Sequence, residues 1–261
     1  MEFQQHHAGG STATGTTTPS TGMGTASLVG GTTSTFATGD TTFDPAGSTD
    51  NSGWNTTTYP AQGTGNKTRG VQFTVSTTGR QNIVISWSSQ SSSTGSKYGR
   101  LQYTTNGIDF VDFPNAFING TSFTVKTNSL AAISGVNNNP NFAFRFVSEF
   151  ENTAANTANT NYVPANSSSY GTAGTMRYDM VTVSGSSYIV ATAAALTSVA
   201  LTNDQFAFTI SGSVGASYIV QTSTNLAATN WIPVFTNVSP CIFTDINLTA
   251  PQKFYRATAQ P

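Results

Sequence analysis

Residues 71–89 read VQFTVSTTGRQNIVISWSS. Large apolar residues occupy every second position over residues 71–75 and again over 83–87, and the polar stretch TTGRQ separates the two runs. A period of two places alternate side chains on one face of an extended chain. The stretch therefore predicts two neighbouring strands, each with one face in a core that includes Trp87.

The same alternation recurs further along the chain. The connecting segments TNGID and NNNPN have turn chemistry, and Asn-Gly between alternating runs is a strong hairpin signal. No segment has a convincing helical period of 3.6 residues. Residues 25–190 are accordingly predicted to form a jelly-roll-like β-sandwich, with long polar loops at 37–66 and 152–174. The further strand-like runs are GRLQYTT at 99–105, TSFTVKT at 121–127, FAFRFVSEF at 142–150 and MRYDMVTVSG at 176–185.

A second, smaller domain is expected at residues 191–261, which begin with the Ala-rich joint ATAAAL. Six short runs in about 70 residues are typical of an immunoglobulin-like sandwich, which normally has seven strands, and the missing strand is the last. An incomplete sandwich exposes a row of backbone N–H and C=O groups and an apolar groove between its sheets. The fold class is thus all-β, with two β-sandwiches. The six runs are LTSVAL, FAFTIS, YIVQTS, WIPVF, CIFTDI and KFYRAT.

Composition narrows the function classes. Only 8% of the 261 residues are charged, against roughly 25% in an average domain, and the formal net charge is -1. No nucleic-acid partner is expected, because there is no basic stripe. No apolar run approaches the roughly 20 residues that span a bilayer. The Thr-, Ser-, Asn- and Gly-rich composition is typical of secreted proteins, so we expect an extracellular protein whose leader has been removed. The single cysteine, Cys241, is expected to be a small buried hydrophobe.

Residues 1–24 are rich in Gly, Thr and Ser and predict an extended N-terminal tail. Met1 and Phe3 alternate, and small or β-favouring residues follow, so the tail is capable of forming a strand. The alternative is a disordered tail or a cloning remnant, which MEFQQHH resembles in composition.

The C-terminal domain resembles the small sandwich modules at the ends of secreted proteins from environmental bacteria. The resemblance lies in FAFTISGSVGASYIVQTSTNLAATNWIPV and FTDINLTAPQKFYRAT, which cover roughly a quarter of the chain. The whole layout, a polar N-terminal extension and an incomplete immunoglobulin-like domain, resembles pilus subunits that assemble by donor-strand exchange. The tail has fewer large apolar residues than typical pilin extensions, and a second large domain is present. The resemblance therefore concerns the mode of assembly.

This resemblance implies that the N-terminal strand of one copy completes the C-terminal domain of another, giving a homopolymer on the cell surface. It assigns the donor strand to Met1, Phe3, Gln5, Ala8, Ala13, Thr14, Thr16 and Thr18. It assigns the acceptor groove to Phe206, Phe208, Ile219, Phe243, Phe254 and Tyr255.

Residues capable of catalysis are few. The two histidines, His6 and His7, both lie in the tail, so a Ser-His-Asp triad has no histidine inside either domain. A pair of carboxylates for glycoside hydrolysis has to come from a small set. We therefore expect no enzyme activity and no cofactor. The carboxylates considered are Asp109, Asp112, Glu149, Glu151 and Asp179.

The main alternative function is a secreted carbohydrate-binding or adhesive module. Trp54 and Tyr59, in the Gly-rich segment SGWNTTTYP, are the candidates for an exposed glycan platform. Asp40, Asp44 and Asp50 supply oxygen ligands of the kind that calcium uses, although their spacing fits no EF-hand and turn-forming aspartates explain it better.

Overall fold

The computed structural model describes the backbone of residues 2–3 and, with side chains, residues 12–42 and 52–260. The chain divides into two compact units, one ending at Tyr188 and the other beginning at Ile189. Both units are built from antiparallel strands, so the prediction of an all-β fold is confirmed. No helix in the described part of the chain has the length and apolar character needed to cross a membrane.

Unit 1 is a two-sheet sandwich. One sheet has the order β3-β4-β11-β6-β9, with β1 paired to β11, and the other has the order β2-β5-β10-β7-β8. Strands β4 to β11 are distributed between the sheets in jelly-roll order. The strands are β1 (Glu2–Phe3), β2 (Thr25–Val29), β3 (Thr33–Thr38), β4 (Ser52–Thr57), β5 (Gly70–Thr74), β6 (Arg80–Ser91), β7 (Tyr98–Thr104), β8 (Val111–Ile118), β9 (Thr124–Ser129), β10 (Ala143–Ser148) and β11 (Met176–Ser187).

The stretch that predicted the fold forms β5 and most of β6. Its alternating residues are buried, with Val71 and Ile85 fully inaccessible and Trp87 only 1% exposed. The ring of Trp87 packs 4.3 Å from that of Phe146, which in turn stacks on Tyr178. Aromatic rings from both sheets therefore close the core between them.

Two short helical turns interrupt the strands: the 3-10 helix Ser134–Val136 and the helix α1 (Glu151–Ala155). The predicted loop at 152–174 holds no strand, whereas the predicted loop at 37–66 contains β4 and is therefore wrong in part. The sequence SGWNTT lacks an apolar alternation, because small Ser and Gly residues share the buried positions with Trp54.

Unit 2 is a sandwich of two three-stranded sheets with the orders β12-β13-β16 and β15-β14-β17. All six strand-like runs of the sequence form strands. Its buried core is small and consists of three aromatic and three smaller residues. The strands are β12 (Ala195–Thr202), β13 (Gln205–Ser211), β14 (Ser217–Ser223), β15 (Ile232–Val238), β16 (Cys241–Asp245) and β17 (Phe254–Ala259). The core residues are Phe208, Ile210, Ala216, Tyr218, Val220 and Phe243.

Candidate strand-acceptor site

Among the described residues, four strands of unit 2 lie at sheet edges: β12, β16, β15 and β17. Native edges are usually protected from further pairing by bulges, prolines or charges. Strand β12 has a register shift at Thr197–Ala200, and β15 has both a register shift and Pro233. Strand β17 pairs with β14 in an uninterrupted register and contains no proline. Strand β17, like β16, thus has neither a bulge nor a proline, although it carries the charged Arg256.

The hydrogen-bonding register between β14 and β17 shows which backbone N–H and C=O groups of β17 have no partner in β14. Gln260 N donates to Ser217 O at 2.9 Å, one step beyond the pair Tyr218–Ala259. In an antiparallel ladder, residue pairs that exchange backbone hydrogen bonds alternate with pairs whose backbone N–H and C=O groups point away from the partner strand. The N–H and C=O groups of Tyr255, Ala257 and Ala259 therefore point to the open edge.

An uncovered apolar side chain lies beside this edge. Leu201 of β12 is directly opposite Phe206 of β13, and opposed residues point to the same side of a sheet. Phe206 stacks on Tyr255 of β17 with ring centroids 5.0 Å apart, so Leu201 is on the core side. It is nevertheless 67% exposed. Because β12 and β17 are in contact, a further strand at β17 would lie under Leu201.

Four of the six predicted groove residues lie on the core side of unit 2: Phe206, Phe208, Phe243 and Tyr255. The other two predictions are wrong. Ile219 alternates with the buried Tyr218 and Val220, so it lies on the outer face. Phe254 is opposite Ser223 on that same outer face. Successive side chains of a strand point to opposite faces of the sheet, so Tyr255 on the core side places its neighbour Phe254 on the outer face.

Polar groups hold one end of β17 in place. Tyr255 Oη donates to Asp245 Oδ2 at 2.7 Å, and Lys253 Nζ lies at the same distance from that oxygen. Burial alone would raise the pKa of Asp245, but the hydrogen bonds from Lys253 and Tyr255 outweigh it and lower that pKa. Burial and the neighbouring carboxylate raise the pKa of Tyr255. The tyrosine therefore stays a neutral donor, which fixes its ring beneath the groove.

The N-terminal segment forms a strand at its start. Glu2 and Phe3 constitute β1, which pairs antiparallel with Thr182 and Val181 of β11 in the same chain. The predicted donor residues Met1, Gln5 and Ala8 lie outside the described residues.

The later part of the predicted donor is not a strand. Thr18 N donates to Thr16 Oγ1 at 3.0 Å, which makes a local turn. A Cβ at Gly15 would lie 2.6 Å from the Phe36 ring, so the backbone here packs against β3. Ala13 and Thr14 are exposed. Residues 12–20 therefore contain a turn at 12–13 and no strand, so the predicted donor residues Ala13, Thr14, Thr16 and Thr18 do not lie in a strand.

The predicted glycan platform is buried. Trp54 is 4% exposed and packs edge-on against Phe73, with ring centroids 6.1 Å apart. Tyr59 is 2% exposed, and its hydroxyl shares a hydrogen bond of 2.6 Å with Thr56 Oγ1. Burial raises the pKa of Tyr59 to about 12, although the hydrogen bond with Thr56 opposes this. These two residues are core residues and cannot stack on a sugar.

Asp40 is a buried residue whose carboxylate is engaged in hydrogen bonds within unit 1. It accepts hydrogen bonds from Ser88 Oγ and, at 3.0 Å, from Thr42 N, and its own N–H donates to Asp179 Oδ2. Asp44 and Asp50 lie outside the described residues. No group of three or more His, Cys, Asp or Glu side chains suited to a metal occurs within the described ranges.

The carboxylates considered for hydrolysis are engaged in structural contacts. Glu149 is fully buried, and both its oxygens accept hydrogen bonds from the Arg100 guanidinium, at 2.9 and 2.7 Å. Asp112 pairs with Lys67, whose Nζ also lies 3.3 Å from Glu149. A carboxylate whose two oxygens both accept hydrogen bonds from one buried arginine is occupied by that contact and does not face a substrate site. That the protein has no enzyme activity stays a prediction.

Comparisons with known proteins assign the chain to no family. No family model and no curated protein matches the chain. Among solved structures, the chain is similar to a β-1,2-glucanase from Parabacteroides distasonis, with a TM-score of 0.32 and 9% identity. The similarity covers 90% of this chain and 34% of that chain, so this chain spans about a third of the glucanase. A likeness at this level carries no argument about substrate or activity.

Proposed function

We propose that the protein is the structural subunit of an extracellular helical filament, in which the N-terminal strand of one copy pairs with β17 of another. The observation that carries the proposal is the open, uninterrupted edge of β17 next to the uncovered Leu201. Strand addition to such an edge derives affinity from main-chain hydrogen bonds and specificity from side-chain pockets.

The free energies of hydrogen bonding and of apolar burial both favour pairing of a strand at this edge. Tyr255, Ala257 and Ala259 offer three N–H and three C=O groups, and each hydrogen bond contributes roughly 0.5–1.5 kcal/mol net. Full burial of a leucine such as Leu201 adds about 1.5–3 kcal/mol relative to an exposed one. Together these terms reach several kcal/mol for each subunit contact.

The donor is the part of the chain before residue 12. Residues 12–20 contain a turn at 12–13 and no strand, whereas Glu2–Phe3 form a strand. Among the described residues, that strand pairs with two residues of β11 in the same chain. Transfer to β17 exchanges this short pairing for a longer one, so assembly is favourable at sufficient protein concentration.

The geometry of the contact leads to a filament. The ten residues from Glu2 to Ser11, fully extended, reach about 33 Å. A contact between the N-terminus of one copy and the C-terminal domain of another is heterologous, and a heterologous contact that does not close propagates as a helix.

Proline at position 257 tests the proposal. Ala257 points its N–H to the open edge, so Ala257→Pro removes a donor for the added strand without removing one from the β14 ladder. We expect this variant to remain folded by circular dichroism and to form no filaments in electron micrographs. Ala257→Ser keeps the N–H and the approximate size and should assemble like the wild type. Filaments of unchanged stability from Ala257→Pro would show that β17 is not the acceptor.

A further inference from the structure

The outer face of the β2-β5-β10-β7-β8 sheet carries a continuous polar row with one side chain from each strand. The pairing register places these residues side by side, and their neighbours along β5 and β10 are core residues, so the row faces away from the core. Five strands at about 4.8 Å spacing give the row a length of roughly 19 Å. The row consists of Ser27, Gln72, Arg145, Gln102 and Asp112.

Arg145 lies at the centre of this row and is held in one orientation. Its Nε donates to Gln72 Oε1 at 2.7 Å, and its guanidinium lies 3.5 Å from the centroid of the Phe110 ring. The terminal nitrogens Nη1 and Nη2 donate to no acceptor in the described part of the protein. The planar fork is thus pre-organised for a bidentate anion.

The other charges near the row are already paired. Asp112 accepts hydrogen bonds from Lys67 Nζ and, at 2.9 Å, from Gln102 Nε2. Burial would raise the pKa of Asp112, but these two hydrogen bonds outweigh it and lower that pKa. The carboxylate therefore stays ionised and neutralised by Lys67, while Arg145 forms no ion pair with a carboxylate of the described residues.

We propose that this face binds an acidic polysaccharide. A carboxylate or sulfate of the sugar chain accepts hydrogen bonds from Nη1 and Nη2 of Arg145, the geometry that arginine favours for such groups. Gln72 already bonds to Arg145 and Thr74, and Gln102 bonds to Asp112, but each amide keeps a second N–H and a second acceptor position. With the hydroxyl of Ser27, these remaining positions match the hydroxyls of neighbouring sugar units. The inference is independent of the filament proposal, because all these residues lie in unit 1.

Titration calorimetry of the full chain with polygalacturonate, dextran sulfate and neutral dextran tests this inference. We expect binding to one or both acidic polymers, weaker at high salt because exposed charges are screened, and no binding to neutral dextran. Arg145→Gln should reduce the affinity at least tenfold. Arg80→Gln makes the same change of charge at an exposed position of unit 1 and should leave the affinity unchanged.

The two acidic polymers distinguish carboxylate from sulfate recognition, and Arg145→Lys measures how far the fork geometry matters. Absence of binding to both acidic polymers would overturn the proposal. Equal binding to neutral dextran, or equal losses from Arg145→Gln and Arg80→Gln, would overturn it as well, since the interaction would then depend on no feature of Arg145.

Discussion

At the scale of single residues, charged side chains of unit 1 form buried ion pairs and hydrogen bonds that link its strands. Arg100 and Glu149 form a buried bidentate pair, and Arg100 also donates to the backbone oxygens of Phe113, Pro114 and Thr153. One side chain thereby links β7 to β8, to the residue that follows β10 and to α1. A buried charge whose partner is removed is left uncompensated, which makes such pairs sensitive to mutation.

Replacing Glu149 tests this interpretation. We expect Glu149→Gln to lower the free energy of unfolding of unit 1 by about 3–5 kcal/mol, because Arg100 is left buried without its counter-ion. The surface substitution Asp109→Asn should change it by less than about 0.5 kcal/mol. Denaturant unfolding followed by tryptophan fluorescence gives both values. Equal effects of the two substitutions would mean that the pair contributes nothing specific.

The lowered pKa of Lys126 makes the stability of the folded protein depend on pH. Its Nζ is half-buried, donating at 2.7 Å to Ser89 O, and burial lowers its pKa to about 8 while the charge of Asp40 partly opposes this. The unfolded value is about 10.4. Between these values the unfolded chain binds more protons, so the stability of the folded protein rises with pH in this window.

The variant Lys126→Met should lack this rise. We expect the free energy of unfolding of the wild type, relative to the variant, to increase between pH 7.5 and 10 by roughly 1–2 kcal/mol, discounted for partial exposure. Chemical denaturation at several pH values measures the difference. A difference that does not change with pH would mean that the Lys126 amine is not desolvated.

At the scale of elements, the alternation of apolar residues predicted the strands well where one face is buried. The six runs of unit 2 all form strands, and the residues VQFTVST and NIVISWSS form β5 and much of β6. The alternation does not indicate strand β4, because its buried face includes Ser52 and Thr56, which are buried through hydrogen bonding and sheet packing and not through hydrophobicity.

The same alternation identifies the groove residues only when its phase is read correctly. In YIVQTS, the set Tyr218, Val220 and Thr222 is buried, and Ile219 belongs to the other set with Gln221 and Ser223. The more hydrophobic set was therefore the informative signal, and a single isoleucine was misleading. Which backbone groups of β17 point to its open edge depends on its hydrogen-bonding register with β14. No local sequence pattern specifies that register.

Leu201 provides an element-scale prediction. In the single chain it is 67% exposed, so Leu201→Ser should change the stability of unit 2 by less than about 0.5 kcal/mol. If an added strand covers it, the same substitution should destabilise the filament measurably, lowering the denaturant midpoint for filament dissociation. Unchanged filament stability would show that the added strand does not pack against Leu201.

At the scale of the whole molecule, the proposed filament gives separate roles to two parts of the chain. In it, unit 2 would supply the acceptor edge and the N-terminal segment of another copy would supply the donor. Deletion of residues 1–11 should leave both units folded, since the contact of Gly15 with Phe36 is retained, but should abolish assembly. Sedimentation velocity of the deleted and full chains gives the comparison. Polymers of the deleted chain with unchanged size would locate the donor elsewhere.

The most direct test of the central claim is hydrogen exchange at the individual amides of β17, measured on monomer and assembled protein. In the monomer, the amides of Arg256 and Thr258 should be protected by β14, while those of Tyr255, Ala257 and Ala259 exchange rapidly. In the assembled protein, the amides of Tyr255, Ala257 and Ala259 should become protected. Assembly that leaves these three amides as exposed as in the monomer would contradict strand addition at β17.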